Sequence, residues 1–429
     1  MELTHGHKQT EVGVIPIEWD VKRLGDLSTI KDGTHQTPKY VPFGVPFYSV
    51  EHVTSGDFAN TKYISEEEHQ FLTRTFKIEK GDILMTRIGS IGDCKLINWE
   101  VDASFYVSLA LLKIHDGYSA EFIEHYSKSL TFKNEVELHS LPSAIPKKIN
   151  LGPISDIRIV VPPLHEQMAI AKALSDAEAL LNALERLISK KKSIKQAAMQ
   201  QLLTGEKRLP GFSDDWDLKT FGDLFNFSGG FSASREQLSS EGYCYLHYGD
   251  IHGSSKTSIS TRDDYLDIPK LNIPLKRISE SSQLKHGDVV FVDASEDDAG
   301  TSRHLVIENE NDVPFISGLH TIVAKSKTNE LAHTYKHYCF QTQAIRQQFM
   351  FYAVGTKVSG ISKTNIAKLT LPVPSIPEQI AIAAVLSDMD VEQSALEARR
   401  DKTRNIKQAM MQELLSGKTR LIAKEESHV

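Results

Sequence analysis

Two long stretches of the chain carry apolar residues at steps of three and four. From Glu166 to Gly205 these are Ile170, Leu174, Ala177, Leu181, Leu184 and Ile188, then Ala198 and Leu202. From Glu378 to Gly417 they are Ile382, Leu386, Met389, Leu396, Met410 and Leu414. Such a period is one face of a helix meeting another helix, a coiled-coil seam. The two stretches align without a gap at a shift of 212 (378 minus 166), so the chain contains an internal repeat. Each copy predicts a helix of about 39 residues, roughly 58 Å long at 1.5 Å per residue. Pro162-Pro163 and Pro374 with Pro377 precede the copies, and Glu166 and Glu378 fall in the first turn, where the helix dipole favours a carboxylate. Gly205 and Gly417 stand where a C-terminal glycine cap belongs. The seam degrades in the middle to Lys190-Lys191-Lys192 and Arg399-Arg400-Asp401-Lys402, where a solvated face is the plain reading and a contact with a partner subunit or DNA phosphate the sharper one.

The segments before each long helix also repeat. EWDVKRLGDL, ending at Leu27, returns as DWDLKTFGDL, ending at Leu224, at a shift of 197 (216 minus 19, the two tryptophans). Strands are predicted at Val45–Val50, Gly81–Thr86, Val107–Ile114, Gly287–Val292 and Leu319–Ala324. Helix-like stretches are predicted at Ala120–Thr131 and Ala332–Phe349. Ile149, Ile154, Ile157, Ile159 and Pro162 answer Ile361, Ile366, Leu369, Leu371 and Pro374 at a shift of 212. The second module therefore carries about 15 net extra residues (212 minus 197), which belong in loops. The fold expected is α+β: two similar modules, each a mixed twisted sheet with helices, separated by two long helices that form an antiparallel coiled coil, with a pseudo-two-fold internal repeat. The boundaries are 1–163, 164–208, 209–375, 376–420 and a tail, 421–429. A two-fold of this kind predicts that the C-terminal end lies beside the Trp19 phrase.

Composition narrows the function. Hydrophobic residues make up 40% of 429 residues, enough for real cores, and residues 1–15 are polar and expected to fray. Cys94, Cys244 and Cys339 form neither a disulfide framework nor a CxxC pattern, which fits a reducing compartment. No signal core or membrane-length apolar run is present, so a cytoplasmic chain with no membrane contact is expected. A net charge of -7 does not by itself suggest nucleic acid, although local basic loops could still bind it. There is no GxGxxG, no Walker loop, and Val161-Pro162-Pro163-Leu164 lacks the amide and aromatic of an adenine-methyltransferase tetrad. Asp82 with Asp93-Cys94-Lys95 lacks the second acid a nuclease metal site needs, and His5 and His7 lie in the polar tail. No catalytic residue, no metal ligand and no cofactor of its own are assigned to the chain.

PPLHEQMAIAKALSD and PSIPEQIAIAAVLSD, the helix ends QQLLTG and QELLSG, the tryptophan phrases, KGDILMTRIGSIGD (80–93) and GTKVSGISKTNI (355–366) resemble the specificity (S) subunit of type I restriction–modification systems. The likeness covers nearly the whole chain. It implies two target-recognition domains, each reading one half of a bipartite, asymmetric site in double-stranded DNA. It implies long helices that set the spacer and dock two modification (methyltransferase) subunits, with restriction subunits joining them. S-adenosylmethionine, ATP and Mg would then sit on those partners. The alternative is a coiled-coil scaffold whose modules bind protein without touching DNA. The chain departs from the pattern at VDASEDDAGTS (292–302), where the first module has TRIGSIGD, and at SAIPKKINLGPI (143–154).

Base edges are read by Arg, Lys, Asn, Gln and hydroxyl side chains, and phosphates by Lys, Arg, hydroxyls and amides. In the first module the DNA-binding candidates are Lys31, Thr34, His35, Gln36 and Lys39; Thr86, Arg87 and Ser90; and Lys147 with Lys148. In the second they are Ser232, Ser234 and Arg235; Ser302, Arg303 and His304; and Lys357 with Ser359. The coiled-coil and partner-binding set is Glu166, Gln167, Ile170, Leu174, Leu181, Leu184, Ile188 and Leu202, with Glu378, Gln379, Ile382, Leu386, Leu396, Met410 and Leu414.

Overall fold

In a computed structural model that describes residues 6–254, 256–295, 302–355 and 359–421, each long stretch is one uninterrupted helix, Leu164–Leu202 and Ile376–Leu414. Both are 39 residues long, and Gly205 and Gly417 follow them with φ of +73° and +72°, the left-handed cap their positions predict. The chain divides into two units, residues 1–185 with 398–429, and residues 186–397. The division falls inside both helices, so each unit holds the start of one and the end of the other.

The first unit is built on an antiparallel sheet ordered Ser28–Asp32, Leu109–Ile114, Ile83–Ile88, Ser90–Leu96. Its two middle strands read as apolar runs because both faces are covered. Ile83, Met85, Ala110 and Leu112 face a core shared with Phe122, Tyr126, Ile170, Leu174, Leu414 and Leu415. Leu84, Leu109 and Leu111 face a second core with Tyr48, Ile78 and Phe105. A smaller sheet, ordered Ser104–Phe105, Val45–Tyr48, Lys62–Ile64, Tyr40–Val41, lies beyond that second core.

The second unit repeats this plan. Its sheet is ordered Phe225–Gly229, Thr321–Ser326, Val289–Val292, His304–Glu308, Ser258–Ser260, the last strand being parallel to its neighbour. Val289, Phe291, Val306, Ile322 and Ala324 face a core with Ile382, Leu386 and Leu202; Val290, Val292, Leu305, Ile307 and Val323 face the other side. The offset between equivalent strands is 197 at Phe225 and Ser28, 206 at Val289 and Ile83, and 212 at Thr321 and Leu109. The extra residues thus enter in two places: around the added strand Ser258–Ser260, and in the connections that follow Val289–Val292.

Two sequence expectations need correction. Ala120–Thr131 is not one helix but the whole of Ala120–Tyr126 and the start of Leu130–Leu138; Ala332–Phe349 likewise resolves into His333–Cys339 and Gln343–Tyr352. Ser129 and Thr342 cause the break: their side chains accept the amides of Phe132 and Ile345, starting a new helix where the apolar period alone runs on. Residues 7–15, expected to fray, instead pair as the strands His7–Thr10 and Gly13–Pro16 and bury Ile15. Ion pairs also join the two long helices. Within the second unit Lys191 pairs with Glu392 at 2.6 Å, Lys192 with Glu397 at 2.9 Å, and Lys195 with Asp390; within the first, Arg404 reaches Glu185 at 3.2 Å and Lys407 reaches Glu178 at 3.2 Å. Glu178 meets Lys407 and Glu185 meets Arg404 in the first unit, and Lys191 meets Glu392 and Lys195 meets Asp390 in the second, so in each unit the helices run antiparallel. Ile170, Leu174, Leu181, Leu184, Ile188, Leu202, Ile382, Leu386 and Leu414 are buried in this packing, while Leu396 and Met410 are half-buried.

The helix starts carry more than a dipole contact. Glu166 is 0% exposed, and its carboxylate accepts the Trp19 indole N–H at 2.8 Å and two N–H groups of Arg420, from Nε at 2.5 Å and Nη2 at 2.8 Å. Glu378, 1% exposed, accepts Trp216 at 3.0 Å and Arg208 at 2.5 and 2.7 Å. The adjacent glutamines latch the sheet side. Gln167 accepts the Ser119 amide at 2.9 Å and donates to the Pro162 carbonyl at 2.8 Å; Gln379 accepts from Ala332 and donates to Pro374, both at 2.8 Å. Each clasp joins a helix start, a tryptophan phrase and the segment after the other helix, so the segment after the second helix, at Arg420, does lie beside Trp19. Arg208 and Arg420 were legible as a repeated Gly-x-x-Arg-Leu at Gly205 and Gly417, again 212 apart, but were not singled out.

Arg420→Ala leaves the Glu166 carboxylate buried with only an indole N–H, a change expected to cost about 3–5 kcal/mol. Adding Glu166→Gln should recover part of that loss because no charge is then left buried. Denaturant unfolding of the first unit checks this, and a loss below about 1 kcal/mol for Arg420→Ala would contradict the clasp.

Candidate nucleic-acid interface

In the first unit the strand Ser28–Asp32 ends at a glycine that nothing larger can replace. A Cβ on Gly33 would stand 2.1 Å from the Phe105 carbonyl oxygen. The close approach is what lets the next residue bond across to the smaller sheet, with the Thr34 amide on Phe105 O at 3.1 Å and the Val107 amide on Thr34 O at 3.0 Å. The loop that follows is therefore anchored at its base and displays His35, Gln36 and Lys39 to solvent, with Thr34 half-buried, while Lys31 is exposed on the strand before it. His35 turns back to Asp32 at 2.7 Å.

Arg87 lies beneath this loop. It belongs to the strand Ile83–Ile88, is 4% exposed, and its guanidinium donates to Asp32 at 3.1 Å and to the Ile149 carbonyl at 3.2 Å. Its backbone joins Ser108 O and the Ile149 amide, at 2.9 and 3.0 Å. The residue read in sequence as a loop arginine is thus a cross-link that ties three of the candidate segments together. Thr86 is fully buried and its hydroxyl accepts the Asp93 amide at 3.0 Å, so it too is a frame residue. Ser90 is exposed and bonded to Asp93; Lys147 is exposed and paired with Glu137 at 2.7 Å; Lys148 is half-buried and bridges to Ile88. Segments 31–39, 86–90 and 147–149 therefore form one surface, with Arg87 as its base.

The second unit repeats the device with different residues. A Cβ on Gly230 would stand 1.7 Å from the Gly318 carbonyl oxygen, and the Phe231 amide bonds Ser317 O at 2.7 Å. Ser232, Ser234 and Arg235 are exposed on the anchored loop, where the Ser234 amide donates to the Gln237 side chain at 2.8 Å and a short turn, Arg235–Gln237, follows. Arg303 is exposed and donates to the His252 carbonyl, while the His252 ring meets the Ser295 hydroxyl at 2.6 Å and Ser295 pairs with Ser359 across a two-residue ladder. Ser302 is buried. Lys256, Arg303 and Arg346 line one cavity of about 250 Å³ with Ser302 and His304. Sequence reading missed His252 and Lys256, and Arg346 far along the chain from them, which carry no local motif.

His304 is corrected as well. It is buried with its ring 5.5 Å from Phe291 and 5.2 Å from Phe340, and burial pushes its imidazole down to about 4, so it is neutral near pH 7 and packs inside the sheet. Lys357 lies outside the described residues.

The chain matches the Type I restriction modification DNA specificity domain twice, over residues 16–196 and 213–404. The MjaVIII type I restriction enzyme specificity subunit of Methanocaldococcus jannaschii is 24% identical over 453 residues, covering 95% of this chain and 94% of that protein. The fold is similar to that of the type I restriction–modification S subunit from M. genitalium, with a TM-score of 0.55 at 15% identity and coverage of 96% of this chain and 98% of that one. It is also similar to a chain solved in work on complex assembly and conformational transition of a type I R-M system, with a TM-score of 0.54 at 15% identity, covering 94% and 99% of the two chains. With both matched segments falling on the two repeated units, the chain belongs to the type I restriction–modification DNA specificity family.

Proposed function

We propose that the chain is the sequence-reading, non-catalytic subunit of a type I restriction–modification complex, each unit reading one half of a bipartite, asymmetric site in double-stranded DNA. The observation that carries this is the pair of anchored loops. Gly33 and Gly230, 197 apart, each close on a backbone carbonyl, Phe105 O and Gly318 O, and the next residue of each bonds an equivalent carbonyl, Phe105 O and Ser317 O, yet the loops they hold, Lys31–Tyr40 and Gly230–Gln237, share almost no sequence. A constant frame with unlike displayed loops is what reading two different half-sites requires. The long helices, continuous from one unit into the other, would fix the spacer between half-sites.

Two modification subunits fit the repeat. Outside the seam, Leu164 and Met168 at the start of the first helix are exposed, and so are Ile376 and Ile380 at the same places in the second, so each unit offers an equivalent apolar contact. S-adenosylmethionine, ATP and Mg would be held by the modification and restriction subunits. Among the described residues no helix is long and apolar enough to cross a membrane, and a DNA substrate places the chain in the cytoplasm on this reading. No observation favours the protein-binding scaffold.

Co-expression with its modification subunit, followed by long-read mapping of methyladenine, should give one split motif with two unlike halves and a fixed unspecified spacer. An active complex that leaves no such motif contradicts the proposal. Within the first unit, Gln36→Ala should relax one half-site while the protein stays folded. Arg87→Ala should instead lower folding stability, by about 3 kcal/mol or more, because Asp32 and the Ile149 carbonyl lose a buried partner. Unchanged stability with a relaxed half-site would return Arg87 to the reading surface.

A further inference from the structure

We propose that the second unit carries a site for a divalent transition-metal ion of the zinc, cobalt or nickel class, built from His286, Glu308, His333 and His337. The four side chains converge from three elements. His286 lies on the turn before Val289–Val292, Glu308 ends the strand His304–Glu308, and His333 and His337 stand one turn apart on the helix His333–Cys339. The i, i+4 spacing puts both imidazoles on one helix face. His333 Nε2 lies 2.8 Å from Glu308 Oε1, His337 Nε2 lies 2.9 Å from the same oxygen, and His286 Nδ1 lies 3.5 Å from Oε2. The His286 and His333 rings stack at 4.2 Å. One ligand atom each from His286, Glu308 and His333 fall within 4.8 Å of one another. Ligands at ~2.0–2.1 Å from a tetrahedral ion are themselves separated by ~3.3 Å, so these three need only a small movement to close on a metal, while His337, outside that group but beside Glu308, has to turn further to become the fourth ligand.

The frame that holds the site is independent of it. The Gly287 amide bonds Ile307 O at 2.8 Å, the Ile307 amide bonds Asp288 O at 2.9 Å, and Lys336 Nζ bonds Gly287 O at 2.8 Å, fixing turn, strand and helix against each other. The first unit has the same frame, with the Gly81 amide on Ile97 O and the Ile97 amide on Asp82 O, both at 2.8 Å. Equivalent positions there are Lys80, Asn98, Glu121 and His125, so three of the four ligands are replaced and one is replaced by a cation. The fold therefore does not require this cluster. Three imidazoles around one carboxylate on a wet, half-buried surface are instead a donor set of the nitrogen-rich kind such ions prefer. Among the described residues the site occurs in the second unit, so it holds one ion per chain, and its effect is to clamp that unit's helix to the end of the strand His304–Glu308.

The full-length chain, stripped with chelator and titrated with Zn2+ alone, should bind one equivalent, and Co2+ in its place should give the visible bands of a tetrahedral site. His333→Ala with His337→Ala should weaken binding by at least about tenfold per ligand removed. Should that pair fail to fold, His286→Gln on the exposed turn should weaken it about tenfold while circular dichroism stays unchanged. A variant lacking the two N-terminal histidines, His5→Ala with His7→Ala, should bind as before. Absence of a bound equivalent, or an equivalent that survives loss of His333 and His337 and disappears with His5 and His7, overturns the site.

Discussion

A carboxylate taken out of water must find partners, and in this chain that requirement joins segments that are far apart in sequence. Glu166 is fully buried at the head of a long helix, and it is stable there because Trp19 and Arg420 both donate to it. Arg420 and Trp19 come from opposite ends of the chain, so the first unit closes only when both arrive. Glu378 makes the same demand of Trp216 and Arg208 in the second unit. Breaking such a charge cluster is costly because it strands a buried charge, whichever partner is removed. The clasp thus fixes which helix end belongs to which sheet.

With the clasps closed, each unit divides into frame and display. The frame is the two-faced sheet, the glutamine latches and the glycine that touches a carbonyl of the smaller sheet. Arg87 belongs to it, joining the ends of three segments through Asp32 and Ile149. What remains exposed are short loops with different residues in the two units, which is how a duplicated fold can read two unlike half-sites. Phosphate contacts can come from a few basic loop residues, so an acidic net charge is no obstacle.

Much of the frame was legible because it obeys local rules: seam periodicity, proline stops, cap glycines, apolar strands and a repeat whose offset grows from 197 to 212. The antiparallel pairing and the meeting of the segment after the second helix with Trp19 followed from the repeat. The site was only partly legible. Sequence gives residue type and loop, but Arg87 and His304 sit one or two residues from exposed positions and point inward, and strand alternation decides that. The breaks at Ser129 and Thr342 were hidden because a capping hydroxyl between two apolar helices leaves the period intact. The cluster around Glu308 was invisible because its members come from three elements.

On the reading proposed above, the two units read DNA independently on a common frame. Exchanging residues 209–375 for the equivalent segment of another member of the family, with Arg208, Glu378 and both long helices retained, tests it through the methyladenine motif of the resulting complex. One half of the motif should change while the other half and the spacer length stay the same. A motif altered in both halves would contradict the account.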